Sequence, residues 1–229
     1  MAIKSDDDLV VLRNQLAQYL DHTLLKPEAT AEQVGVLCEE ANELHVAAIC
    51  VSPSMLPLVE GLLEPGIAVC TVIGFPNGAV DARIKAHEAS LAYAAGATEI
   101  DMVINLGFVK IGDWEALEEE IAGVASAAPL ALLKIIIETA ALTDAEIVEC
   151  CRVAESGGAD YVKTSTGFHP GGGATVAAVA LMAKTVGDRL GVKASGGIRD
   201  TATALAMIDA GATRIGTSSS RAILEGLSA

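Results

Sequence analysis

Residues 160–197 read DYVKTSTGFHPGGGATVAAVALMAKTVGDRLGVKASGG, and this stretch contains the unit from which the fold is built. DYVKTS and GVKAS are short apolar runs that predict strands, and the periodicity of residues 175–186 predicts a helix between them. Two strands joined by a helix form a parallel unit of about 30 residues. The same order recurs on both sides of this stretch, so the sequence predicts an α/β protein with a parallel sheet.

The remaining predicted strands follow the same rhythm along the chain. They are DHTLL, VAAICV, IAVCTVIGF, TEIDMVIN, LALLKIII and TRIGTS. Helices are predicted between them at 30–44, 81–95, 113–127, 144–155 and 201–210, and Ser52-Pro53 is expected to open another that Gly66 closes. About eight strand–helix units after an extra N-terminal helix at 8–20 favour a TIM (β/α)8 barrel, and an open doubly wound sheet is the alternative. No linker or composition shift divides the chain, which predicts one domain over residues 1–229.

Composition limits the possible partners. Of the 229 residues 52% are hydrophobic, which supports a large core, and the net charge of −15 argues against binding to nucleic acid or an anionic membrane. No apolar stretch is long enough to span a bilayer, and the start, MAIKSDDDLVVL, lacks the features of an export signal. Five cysteines without a CxxC pair favour a reduced, cytoplasmic setting. A homo-oligomer, dimer or tetramer, is also expected.

Four charged residues interrupt apolar strands at intervals of about 30 residues. They are Asp101, Lys134, Lys163 and Lys193. This spacing places one ionisable group on each of four successive strands, all near the carboxyl ends where barrel active sites lie. A buried ammonium beside another tends to lose its proton, and a neutral lysine amine attacks carbonyl carbon. The pattern therefore predicts covalent lysine chemistry, although a single strand lysine is more often structural.

Glycine and serine runs follow the last two strands. Ser195-Gly196-Gly197 comes after GVKAS, and a Gly-Thr-Ser-Ser-Ser run begins at Gly216 and opens a helix. Phosphate sites of β/α barrels are often built from these two loops. Three glycines at 171–173 can add backbone donors. Clustered lysines would supply the local positive potential that a phosphate needs in so acidic a chain.

Other chemistries lack a signature. The histidines, among them His22 and His169 near the expected mouth, show no metal-ligand spacing and are interpreted as structural. No GxSxG, Walker A or strand-linked GxGxxG motif is present. Cys50 either faces the cavity or, as the simpler interpretation, packs as a small apolar residue. We therefore expect neither a metal nor a cofactor.

Eight short motifs stand out along the sequence: DHTLLKP (21–27), VIGFPNG (72–78), EIDMVINLG (99–107), LLKIIIETAALTDAEI (132–147), YVKTSTGF (161–168), GGATV (172–176), VKASGGIR (192–199) and GTSSS (216–220). Together they resemble the motifs of the deoxyribose-phosphate aldolase family. The resemblance implies a class I, Schiff-base-forming aldolase on a β/α barrel. Such an enzyme reversibly cleaves 2-deoxy-D-ribose 5-phosphate to D-glyceraldehyde 3-phosphate and acetaldehyde, in deoxyribonucleotide catabolism.

The resemblance also implies a role for each site residue. Lys163 is the Schiff-base nucleophile, and Asp101 donates and accepts protons through a water. Lys193 is the cation that lowers the pKa of the nucleophile and assists proton transfer. Lys134 orders Asp101 or binds a substrate hydroxyl. The remaining expected substrate-binding residues are Thr166, Gly196, Gly197, Ser218 and Ser219.

One departure and two rival hypotheses accompany this resemblance. Some family members end in a tyrosine credited with helping proton transfer, whereas this sequence ends Gly226-Leu227-Ser228-Ala229. The expectation is that water takes that role or that deprotonation is slower. A lysine aldolase or transaldolase acting on another phosphorylated sugar or keto acid is the first rival. The second is a non-catalytic barrel that binds a phosphosugar.

Overall fold

The computed structural model describes residues 6–227, with side chains described from Leu9 onward. Residues 1–5 of the expected leaderless start, and Ser228 and Ala229 of the expected short C-terminus, lie outside the described residues. The strands are β1 (Leu20–Leu24), β2 (Ala48–Val51), β3 (Ala68–Ile73), β4 (Glu99–Val103), β5 (Leu132–Ile136), β6 (Tyr161–Lys163), β7 (Gly191–Ser195) and β8 (Arg214–Thr217). The helices are α1 (Asp6–Ala17), α2 (Ala31–Leu44), α3 (Ala82–Ala94), α4 (Leu106–Ile111), α5 (Trp114–Ala127), α6 (Asp144–Ser156), α7 (Val176–Val186), α8 (Thr201–Asp209) and α9 (Ser220–Glu225).

The strands close into a single parallel barrel. Each strand pairs in parallel with the next, and β8 returns to pair with β1 through Leu20 and Ile215. The prediction of a TIM (β/α)8 barrel with an extra N-terminal helix is therefore confirmed, and the alternative of an open doubly wound sheet is wrong. Closure matters for the chemistry because it brings the first strand beside the last, and with it Asp21 beside Gly216.

Local sequence signals fix where the helices begin. Thr30 and Thr143 cap α2 and α6 with complete capping boxes, in which the side chain of the third helical residue, Gln33 or Glu146, bonds back to the cap. These reciprocal bonds satisfy backbone donors that the first helical turn leaves free. The apolar face of each helix packs on the outside of the sheet, where most of the core lies. The strands are buried on both faces, as parallel strands under helices must be.

The prediction of a helix between Ser52 and Gly66 is wrong. Only a short 3-10 turn, Pro53–Met55, forms there, and the rest of the segment to β3 is irregular. Pro57 lacks an N–H and disfavours helical geometry at the residue before it, and Leu56 is accordingly extended at φ −100° and ψ 150°. The opposite error occurs after β4, where the short helix α4 was not predicted. Asn105 caps it by accepting from the Gly107 N–H.

The interior of the barrel differs from its outer layer. A small apolar group inside it consists of Cys50, Cys70 and Val72, with Leu25 and Phe75 packed against it. Below and beside this group lie charged side chains that are almost completely buried. Among the described helices, none combines the length and hydropathy that crossing a bilayer requires.

Candidate active site

The strand register places the four predicted charged residues in two neighbouring pairs. Asp101 on β4 lies opposite Lys134 on β5, and Lys163 on β6 lies opposite Lys193 on β7. The β5–β6 register is offset, since Lys134 pairs with Tyr161 and not with Lys163. The stagger of a closed barrel nevertheless points all four side chains at one place.

Asp101 is the common partner of the three lysines. Its Oδ2 accepts from Lys163 Nζ and from Lys193 Nζ, each at 2.7 Å, and its Oδ1 accepts from Lys134 Nζ at 2.9 Å. All four residues are at most 3% exposed. The Nζ atoms of Lys163 and Lys193 both donate to the same oxygen. The distance between these two nitrogens therefore cannot exceed the sum of the two hydrogen-bond lengths.

A second layer of charges supports this centre. Asp21 accepts from Lys193 Nζ and, at 2.8 Å, from Arg214 Nη1. Glu99 lies 2.6 Å from Lys134 Nζ and 3.2 Å from Arg214 Nη2. None of Asp21, Glu99 and Arg214 was among the predicted site residues. Each is a charged residue in a predicted strand, so the signal that selected Asp101 was present for them too.

The cluster carries more positive than negative charge when every group is ionised. It holds four cations, namely the three lysines and Arg214, against the carboxylates of Asp21, Glu99 and Asp101. An unbalanced charge in a low-dielectric interior is costly. Loss of one lysine proton balances the cluster, and Lys163 has the fewest anionic partners of the three lysines, with Asp101 as its one carboxylate among the described residues.

Two other groups of the cluster, Asp101 and Lys193, are held in their charged forms. Burial by itself raises the pKa of the Asp101 carboxyl, but Lys134 and the other two lysines hold that pKa well below its ordinary value. Burial by itself lowers the pKa of the Lys193 amine, yet Asp101 and Asp21 raise it above its ordinary value. Attraction to nearby opposite charges therefore outweighs desolvation in both groups. Lys193 stays a cation, which is the state that its expected role requires.

A cleft lies above the cluster, at the carboxyl ends of the strands. Five predicted site residues line it: Lys163, Thr166, Gly196, Gly197 and Ser218. Asp101, Lys134 and Lys193 lie beneath its floor. Ser219 is not among the lining residues and instead occupies the N-cap position of α9.

Two cations at the cleft were not predicted as site residues. Lys26 follows β1, and Arg199 follows the glycine pair after β7. With Lys163 they give the lining three basic side chains, and no Asp or Glu is among the lining residues. The cleft is therefore locally basic on a chain of net charge −15. This is the local positive potential that the sequence led us to expect for an anionic substrate.

Glycines allow the backbone to pack closely at the mouth. A Cβ added to Gly173 would lie 2.1 Å from the Gly196 carbonyl oxygen, so the loop before α7 fits against the loop after β7 only without a side chain. Ala174 N–H donates to the carbonyls of Ser195 and Gly196 across this contact. Deeper down, a Cβ on Gly216 would lie 3.1 Å from Lys193 Cε. Gly216 therefore leaves room for the Lys193 side chain.

His22 and Cys50, which were considered as possible site residues, are both buried among structural contacts. His22 is buried and bonds to Ser220 Oγ at 2.9 Å and Glu40 Oε2 at 3.0 Å, outside the cleft. Cys50 is buried in the apolar group inside the barrel. The ligand atoms of Cys50, Cys70 and Asp101 lie within 4.8 Å of one another, a spacing that could hold a metal ion. Lys134 already donates to Cys70 Sγ and to Asp101, so an ion would have to compete with that ammonium.

Comparison with known proteins adds the family. The sequence profile described as "DeoC/LacD family aldolase" matches residues 15–226. The chain belongs to this family. Within it, a protein from Kocuria rhizophila named deoxyribose-phosphate aldolase is 58% identical over 219 residues, covering 95% of this chain and 99% of that protein. A protein of the same name from Mycobacterium avium is 57% identical, covering 94% and 98%.

Solved structures of the family share the architecture. The structure described as the unique tetrameric structure of deoxyribose phosphate aldolase from Aeropyrum pernix has a TM-score of 0.85 and 35% identity, covering 96% of this chain and 97% of that one. The family resemblance inferred from the motifs is therefore confirmed. Since the match spans β1 to β8, every strand that contributes to the charged cluster belongs to the shared fold.

Proposed function

We propose that this chain is a class I aldolase that reversibly cleaves 2-deoxy-D-ribose 5-phosphate to D-glyceraldehyde 3-phosphate and acetaldehyde through a Schiff base on Lys163. The observation that carries the proposal is the Asp101 carboxylate shared by Lys163 and Lys193 at the floor of a basic cleft. Relatives at 57–58% identity carry the name of this activity.

The first half of the reaction forms a covalent adduct. The neutral Lys163 amine attacks C1 of the open-chain sugar, and uptake of one proton with loss of one water gives a protonated imine. The C2–C3 bond then breaks, its electron pair moves toward the iminium nitrogen to give an enamine, and the C3 hydroxyl loses its proton as it becomes the aldehyde of glyceraldehyde 3-phosphate. Of the three lysines that bond to Asp101, Lys163 is the one that is among the described residues lining the cleft, which favours it as the nucleophile.

The second half returns a proton and releases acetaldehyde. Enamine C2 takes a proton, and water hydrolyses the resulting iminium to acetaldehyde and the free amine. The hydrogen-bonded series from Lys163 through Asp101 to Lys193 offers a route for these protons, with a water as the last carrier to carbon. Because Lys193 also bonds to Asp21, its charge is maintained while protons move.

The upper part of the cleft suits the phosphate. Gly196, Gly197 and Ser218 supply backbone and hydroxyl donors, and Lys26 and Arg199 supply charge. Basic side chains at the rim add affinity for a phosphorylated over an unphosphorylated sugar. Lys134 orders Asp101, since it bonds to the other carboxylate oxygen. Thr166 lies close enough to Lys163 in sequence and in the cleft to contact a sugar hydroxyl.

The decisive test compares substrates. Purified chain is expected to release acetaldehyde from 2-deoxyribose 5-phosphate, followed by NMR, faster than it cleaves ketose phosphates or phosphorylated 2-keto-3-deoxy acids. Lys163→Ala should abolish the release. A preference for one of the rival substrates would favour another lysine aldolase. Thermal stabilisation by the sugar phosphate without any cleavage would favour a non-catalytic binder.

We extend the proposal to assembly and location. A homodimer or homotetramer in the cytoplasm, acting on small molecules and on neither nucleic acid nor membrane, fits the net charge of −15 and the free cysteines. The Aeropyrum pernix relative is described as tetrameric. Light scattering after size-exclusion chromatography measures the assembly directly, and a monomeric mass at micromolar concentration would refute it.

A further inference from the structure

Glu138 is a buried carboxylate immediately after β5, in an unusual backbone conformation. Its φ of 56° and ψ of 64° lie in the left-handed region, which among the described non-glycine residues is shared only with His45. The residue is 3% exposed, and no described Lys, Arg or His lies within 4.0 Å of its carboxylate. A glycine would satisfy this backbone more easily. A glutamate at this position carries the cost of the left-handed backbone and the cost of a buried carboxylate without a nearby cation. This indicates a function for its side chain.

Its partner is the loop that follows the nucleophile. Thr166 N–H donates to both carboxylate oxygens at 3.3 Å, and Thr166 Oγ1 donates to Glu138 Oε2 at 2.5 Å. The neighbouring backbone bonds do not involve the Glu138 side chain: Ile137 N–H donates to the Lys163 carbonyl at 3.0 Å. The Glu138 carboxylate therefore positions Thr166, while the backbone of Lys163 is positioned by a hydrogen bond from the backbone of Ile137.

The hydrogen bonds of the Thr166 hydroxyl can be counted. A hydroxyl has one proton to donate and two lone pairs to accept with. The proton goes to Glu138, and one lone pair accepts from the Phe168 N–H at 3.1 Å. One lone pair remains, on a residue that lines the cleft. In this arrangement Thr166 can only accept from a ligand, and a sugar hydroxyl is the donor that the proposed reaction supplies.

We propose that Glu138 is a positioning residue for substrate recognition, which fixes the Thr166 hydroxyl as an acceptor for a hydroxyl of the sugar. The inference rests on the proposed function. It separates two parts of the site: the charged cluster forms the Schiff base, and the Glu138–Thr166 pair selects a hydroxylated substrate. Acetaldehyde has no hydroxyl, so its reaction with Lys163 does not use the pair.

Two readouts on the same preparations test this separation. The first is kcat/KM for cleavage of 2-deoxyribose 5-phosphate, and the second is the rate at which borohydride and acetaldehyde trap Lys163. Glu138→Gly removes the carboxylate and suits the left-handed backbone, and we expect kcat/KM to fall about tenfold or more while the trapping rate stays within about twofold. Thr166→Val should behave alike, and Thr166→Ser should restore most of the loss.

Matched variants keep the test decisive. His45→Gly relieves the other left-handed position, at the end of α2, and should leave both readouts unchanged. Glu138 and Thr166 act as one unit, so the double variant Glu138→Gly with Thr166→Val should be no worse than Thr166→Val alone. If Glu138→Gly does not fold, Glu138→Gln serves instead. Its amide oxygen can accept from the hydroxyl, but its NH2 group cannot accept the Thr166 N–H, and kcat/KM should fall several-fold with trapping retained.

The outcomes separate this inference from the proposed function. A parallel loss of cleavage and trapping in the Glu138 variants would mean a structural role only, and unchanged kcat/KM would mean no role. Multiplied losses in the double variant would also overturn the pairing. If the unmodified chain cleaves no sugar, the proposed function fails and this inference fails with it. If that chain cleaves the sugar and the variants match it, this inference alone fails.

Discussion

Replacing Lys193 by methionine removes one charge from the cluster and keeps an unbranched side chain. Lys193 and Lys163 both donate to Asp101 Oδ2 at 2.7 Å, so their nitrogens are close neighbours. At about 5 Å and an effective dielectric constant near 20, two like charges repel by roughly 3 kcal/mol. That energy corresponds to about two pH units. Without Lys193, we expect the proposed nucleophile Lys163 to form its adduct only at a higher pH.

The assay is trapping of the acetaldehyde adduct by borohydride across a pH series. We expect the pH of half-maximal trapping to rise by about one to two units in Lys193→Met. The barrel should remain folded, because Asp101 still accepts a hydrogen bond from Lys134 and Asp21 still accepts one from Arg214. Circular dichroism and thermal unfolding check this.

Two control variants accompany Lys193→Met. Lys184→Met replaces an exposed lysine on α7 and should not change the profile. Lys134→Met removes an ammonium that bonds to the other carboxylate oxygen of Asp101. Its pH of half-maximal trapping should shift less than that of Lys193→Met. A folded Lys193→Met with the pH profile of the unmodified chain would refute the electrostatic reasoning.

Three further predictions concern the cleft, a buried ion pair outside it and the pH dependence of stability. Arg199→Met should raise KM for the phosphorylated sugar about tenfold and change unphosphorylated deoxyribose little, as steady-state kinetics would show; equal effects on both sugars would contradict a phosphate role. Glu120→Gln removes the negative charge that lies 2.6 Å from the buried Lys85 Nζ and should cost about 3–5 kcal/mol in urea unfolding, whereas an unchanged midpoint would contradict this. The pKa of Asp101 is lowered and that of Lys193 raised, so their stabilisation should be present between pH 3.8 and 10.5 and decline outside this window. Unfolding free energies that are flat to extreme pH would oppose that assignment.

Much of the fold could be predicted because strands and helices alternate with clear punctuation. The segment 52–66 and the short helix α4 were exceptions. In 52–66 the apolar spacing resembles a helix and Pro53 suits a helix start, but Pro57 prevents a helix from continuing. Barrel closure was favoured by counting units, but the contact between β1 and β8 depends on the whole sheet. The ion pair between Asp21 and Arg214 depends on that contact, and therefore short-range patterns could not reveal it.

The candidate site could be predicted where a charged residue interrupts an apolar stretch of sequence. A lysine inside an apolar run, such as Lys134 in LALLKIII, is a strong signal, because burying it without partners is costly. Lys26 and Arg199 lie in polar loops, where a basic residue is ordinary, and only the geometry brings them to one cleft. The difference between Ser218, which lines the cleft, and Ser219, which occupies a helix cap position, is a matter of one residue at a turn.

The most direct measurement is the mass of the trapped adduct. The chain is incubated with acetaldehyde, reduced with borohydride, digested and mapped by mass spectrometry. A two-carbon addition on the peptide that contains Lys163, lost in Lys163→Ala, is the predicted result. Absence of that addition, or equal labelling of the Lys163→Ala variant, would contradict the central claim.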